Sequence, residues 1–143
     1  MKKRFTAGVL LAIFTFLFLE TEYLFVNIMS AFSSSQQAVS AQGIVLGVSV
    51  IGFLLYALFH RIKSAFVKRV LTVMFPLVMA VCLFFLYEAD SYAICLFVGG
   101  VVFVLLGLFG SALHYHALFY VGRDSHLALL IGVAYALGLL FQF

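Results

Sequence analysis

Few side chains in this 143-residue chain are equipped for chemistry: there are five carboxylates and four imidazoles. Glu20, Glu22, His114 and His116 stand inside long apolar runs. An ionisable group at such a depth in a membrane is costly, and is a functional candidate by default. Glu20, Tyr23 and Asn27 follow at i, i+3 and i+7, so a helix places them on one face. That polar stripe is fit to line a water-filled cleft, where a desolvated carboxyl would hold a solute cation or a proton. Glu22 is roughly 200° around the helix from Glu20 and falls in line with Phe18 and Thr15 instead. The bland alternative sets both carboxylates near the outer interface, where they reach water.

His114 shares a face with Gly100, Gly107 and Ser111, from which it can point into a bundle and titrate near neutral pH. His116, two positions on, faces elsewhere; a helical metal pair needs i, i+4 spacing. With Tyr115 and Tyr120 beside them, an interfacial belt is the alternative. His60 and His126 lie at the ends of apolar runs, next to basic residues, and read as solvated boundary groups. Cys82 and Cys95 flank the turn Tyr87-Glu88-Ala89-Asp90-Ser91 without a CxxC spacing, and their expected role is apolar filling. No metal cluster, cofactor motif, nucleophile-base pair, phosphate loop or intramembrane protease dyad is present in the sequence. Enzymatic activity is not expected.

The elements that must carry these residues follow from composition. Hydrophobic residues make up 66% of the chain and charged residues 9%, against roughly 45–50% and 25% in globular proteins. Thirteen charged side chains cannot cover a soluble domain of this size, so the chain reads as an all-α integral membrane protein. The net charge of +3 is too small and too scattered for a nucleic-acid surface. A bilayer core needs about 20 apolar residues per helix. Five stretches are expected to span it: about 5–29, 42–59, 70–87, 92–113 (or on to 120) and 126–143, with a polar loop over 30–41.

Lys2, Lys3 and Arg4 precede the first span, Arg61, Lys63, Lys68 and Arg69 lie between the second and third, and Arg123 lies between the fourth and fifth. All eight thus fall on one side of a five-span zigzag. The positive-inside rule makes the amino terminus cytoplasmic in a multi-pass protein of the cell membrane, with the carboxyl terminus outside. A signal peptide over residues 2–19 is the competing reading, but the small-residue site at Val39-Ser40-Ala41 lies too far along for an ordinary one. The last span reaches Phe143 with no polar flank, which reads as a fragment of something longer. The expected partners are the lipid bilayer, the missing helices of that longer chain and a small-molecule ligand.

Small residues four apart mark helix contact faces in lipid. Gly43 and Gly47 form such a pair in the second span, and Gly107 and Ser111, with Gly100, in the fourth. Ala128, Gly132 and Ala136 form one in the fifth. A compact bundle is expected, with Pro76 weakening or kinking the third helix.

Four features together resemble the amino-terminal half of the major facilitator superfamily: the cytoplasmic amino terminus, the carboxylate in the first span, the basic loop between the second and third, and a fourth span running into Tyr120-Val121-Gly122-Arg123-Asp124-Ser125-His126 ahead of a Gly/Ala-rich fifth helix. The resemblance implies a truncated facilitator bundle, one helix short of its second three-helix repeat. It further implies binding or transport of a small solute. The family's loop usually reads Gly-x-Leu-x-Asp-Arg-x-Gly-Arg-Arg, and of that only Leu58 and Arg61 survive here, with His60 in place of the acid. A second resemblance, over Gly132 to Phe143, is to the membrane region of bacterial LuxR-type regulators. It implies a sensor bundle ahead of a helix-turn-helix domain that this segment does not contain.

Overall fold

The computed structural model describes residues 2–121 and 126–142. Among these the chain is all-helical, in the order α1 (Lys2–Phe32), α2 (Ser35–His60), α3 (Ala65–Tyr87), α4 (Tyr92–Val121) and α5 (His126–Leu140). The first four are long and apolar enough to cross a bilayer, which makes this a multi-pass membrane domain. The fifth helix has 15 residues, about 22 Å of rise against a core of about 30 Å. The expectation of five full spans is therefore met by four, with a shorter apolar helix after them.

The polar loop expected over 30–41 is replaced by a tight break at Ser33 and Ser34. Its cause is a capping box. Ser34 Oγ accepts the Gln37 N–H at 3.4 Å, and Gln37 Oε1 accepts the Ser34 N–H at 3.1 Å. Two otherwise orphaned donors are thereby satisfied, and α2 starts seven residues earlier than hydropathy alone places it. Ser64 does the same for α3, its Oγ accepting from Val67 N–H at 3.3 Å, so Lys68 and Arg69 ride on the helix. Pro76 lies inside α3, which continues through it to Tyr87.

The chain packs as two compact units, divided within α1 after Tyr23 and within α4 after Phe109. In the unit built from the start of α1, the end of α4 and α5, the core is Ala7, Leu11, Ala12, Ala117 and Ala134, flanked by Leu113, Leu130 and Ile131. Small residues let the backbones close in. A methyl group on Gly138 would stand 2.6 Å from Thr15 Cβ and 2.9 Å from the Ala12 carbonyl oxygen, and one on Gly8 would stand 3.2 Å from Leu130 Cδ1.

In the other unit, Phe25, Met29, Val45, Leu86, Cys95, Val102 and Phe103 are fully buried. Phe25 meets Phe103 edge to face at 5.9 Å, a favoured aromatic geometry. The tightest crossing is between α2 and α4. A methyl on Gly52 would overlap the Val104 carbonyl oxygen and lie 3.0 Å from Leu108 N, while one on Gly107 would overlap the Ser49 carbonyl oxygen and lie 3.1 Å from Phe53 N. The two glycines thus admit each other's helix backbone. The physics is that of membrane helices, where van der Waals contact rather than water exclusion drives association.

Several hydroxyl side chains within the helices bond to their own helix. Thr15, Thr21 and Ser30 each donate to the carbonyl four residues earlier, at 2.7–2.9 Å, and Ser49 to the one three earlier at 2.7 Å. Among the described residues no buried side-chain oxygen or nitrogen lacks a partner, as a medium without water demands.

Candidate functional site

α1 presents two different faces. Thr21, Phe25 and Met29 are buried, as are Ala7, Leu11 and Phe14 nearer its start. The Glu20 stripe lies off that face: Glu20 is half-buried, Tyr23 is 62% exposed and Asn27 is exposed. Glu22 is also half-buried. The 31-residue length of α1 puts its midpoint at residue 17, so Glu20 stands about 4–5 Å past the middle.

The second concentration of polar chemistry lies between α4 and α5. His114 is half-buried. Its Nδ1 lies 2.7 Å from the Gly110 carbonyl oxygen; a carbonyl only accepts, so Nδ1 carries the proton and donates. Nε2 is hydrogen-bonded to the Tyr135 hydroxyl, which donates to it when the ring is neutral. The rings pack edge to face with centroids 5.8 Å apart. If the imidazole takes up a second proton, Nε2 becomes a donor and the Tyr135 oxygen turns to accept. The pair can therefore hold a proton in either state without losing its hydrogen bond. His116 is exposed and stacks edge to face on Tyr115 at 5.9 Å, apart from this arrangement.

Sequence reasoning singled out His114 and missed Tyr135. The available signal was the tyrosine set beside Ala134 and Ala136 on an otherwise aliphatic helix, but the partner's identity needed the register between α4 and α5. The inward face of α5 carries Ala134 and Gly138, which are buried, with Gly138 against Ala12 and Thr15 of α1, whereas Ala128, Gly132 and Ala136 are exposed. Gly43 and Gly47 likewise face open space, with nothing within 4 Å of an added methyl, and so does the half-buried Gly100. Gly107 is buried and makes the close approach already described, and Ser111 is half-buried.

The basic residues expected to set topology lie where the helices begin and end. Arg4 is exposed near the start of α1, and Arg61, Lys63 and Arg69 are exposed around the α2–α3 connection. Lys68 is half-buried and donates from Nζ to the His60 carbonyl at 3.2 Å. Arg123 and its neighbours in 122–125 lie outside the described residues. Cys82 and Cys95 are free thiols, half-buried and buried respectively. Among the described residues no three His, Cys, Asp or Glu side chains gather closely enough to hold a metal ion. Comparison with known protein families, curated proteins and solved structures finds no match to this chain.

Proposed function

We propose that this chain is a facilitator-like membrane bundle that binds or moves a small solute, with its amino terminus in the cytoplasm. The observation that carries this reading is the carboxylate of Glu20, half-buried close to the middle of a helix long enough to span the bilayer. A charge at that depth is retained against a cost of several kcal/mol unless a cavity, a partner or a bound cation offsets it. Tyr23 and Asn27 on the same helical face supply neutral donors and acceptors beside it. The His114–Tyr135 pair adds a second group able to carry a proton.

The test is retention of a cation by vesicles containing the purified chain, with tetraphenylphosphonium as the probe. Glu20→Gln keeps the shape and removes the charge, and is expected to lower retention by tenfold or more, about 1.4 kcal/mol. Equal retention by the variant removes Glu20 from the function.

A second reading is favoured by one feature of the α2–α3 connection, where His60 occupies the position of the facilitator family's acid. A bundle without that latch fits the input domain of a LuxR-type transcription regulator, which senses rather than transports. Coding sequence beyond codon 143 that reads into a basic helical domain would favour it, and further spans alone would favour the transporter.

A further inference from the structure

Two candidate spans, α2 and α3, are joined by residues 61–64, so this connection lies at a membrane surface whichever way the chain is oriented. Within nine positions it carries Arg61, Lys63, Lys68 and Arg69. No acidic residue occurs between Glu22 and Glu88, and Glu88 caps the other end of α3, about 34 Å away. The negative end of α2 is answered from within: Lys68 Nζ donates to the His60 carbonyl, and a cation at a helix carboxyl end is favourable. Arg61, Lys63 and Arg69 remain exposed. The first turn of α3 holds no acidic residue to meet them. Beside them Phe66 is 76% exposed and Val67 is 40% exposed, an apolar pair at the point where the helix enters the bilayer.

We propose that the α2–α3 connection binds anionic lipid headgroups, with Arg61, Lys63 and Arg69 on the phosphates and Phe66 and Val67 among the upper acyl chains. Long basic side chains at a span's end reach the headgroup layer while their stems stay apolar. Clustered cations next to a span gain attraction to an anionic leaflet for each charge, screened over a Debye length. Lys68 is committed to His60 and fixes the turn. The inference rests on the membrane placement of α2 and α3 and is independent of solute binding at Glu20.

Native mass spectrometry of the full chain, released from detergent with equimolar phosphatidylglycerol and phosphatidylcholine, tests it. The expected result is preferential retention of phosphatidylglycerol on the order of a hundredfold, falling by roughly fivefold for each charge removed in the series Arg61→Gln, Lys63→Gln, Arg69→Gln. The preference should also shrink for the unmodified chain as ammonium acetate is raised before release, a readout that needs no variant to fold. Arg4→Gln should leave it unchanged. Equal retention of the two lipids, a preference indifferent to salt, or one lost with Arg4 instead would overturn the proposal. So would displacement of the lipid by millimolar inorganic phosphate, which would make free anion the ligand.

Discussion

At the residue scale, the His114–Tyr135 contact is a polar pair in an otherwise aliphatic helix interface. Its worth is limited, because interhelical hydrogen bonds in membranes average only about 0.6 kcal/mol. The unfolded chain finds other partners for the same groups. The value of the pair to the protein is therefore register: Nδ1 is committed to the Gly110 carbonyl, so Nε2 points in one direction and α5 must bring Tyr135 to it. A double-mutant cycle of His114→Phe and Tyr135→Phe, followed by unfolding in sodium dodecyl sulfate, should give a coupling energy of about 0.6 kcal/mol, and no more than about 1.7. Additive effects of the two substitutions would mean that the hydroxyl and the imidazole act separately.

At the element scale, the α2–α4 crossing concentrates the packing of its unit on Gly52 and Gly107. Gly52→Ala puts a methyl onto the Val104 carbonyl and is expected to destabilise by about 1–3 kcal/mol through forced separation of the helices. Gly43→Ala and Gly47→Ala meet nothing within 4 Å. They should be neutral or stabilising by up to about 1 kcal/mol, since alanine is the better helix former. The same detergent unfolding measurement distinguishes the sites, and an equal loss at Gly43 and Gly52 would contradict the crossing described. Hydropathy was enough to find all five helices, because length and apolar content alone decide where a chain can stay in lipid. The spacing rule for small residues was less informative. Gly52 has Val48 and Tyr56 as its i±4 neighbours, so nothing marked it until Gly107 was placed opposite. In α5, Ala128-x-x-x-Gly132 and Ala134-x-x-x-Gly138 satisfy the rule equally, and only Gly8, Ala12 and Thr15 on the facing helix choose between them. The Ser34-x-x-Gln37 box was legible in the sequence, and it outweighed the polarity that had read as a loop. At Glu20 the face and the helix were both legible, and α1 runs to Phe32, three residues beyond the end that hydropathy gave it.

At the scale of the whole molecule, the basic residues and the short fifth helix make separate demands on topology. Seven of the eight Lys and Arg lie before the first span or between the second and third, so the first hairpins have strong signals for a cytoplasmic amino terminus. α5 has only its own 15 residues, mostly apolar, within the described chain, and a segment that short crosses a bilayer only if the lipid thins or the flanking residues extend the span. If α5 crosses, the carboxyl end lies on the side opposite Ser64; if it lies in the interface, the two share a side. Cysteines introduced as Ser64→Cys and Gln142→Cys, each in a background with Cys82 and Cys95 replaced by alanine, separate these cases by labelling intact cells with an impermeant maleimide. The basic distribution predicts that Ser64→Cys labels only after the cells are opened. The five-span zigzag predicts that Gln142→Cys labels from outside in the same cells. Protection at Gln142 would leave α5 on the cytoplasmic face and make four the number of spans. Labelling of intact cells at Ser64 would reverse the orientation, and would move the basic surface of the α2–α3 connection to the outer leaflet with it.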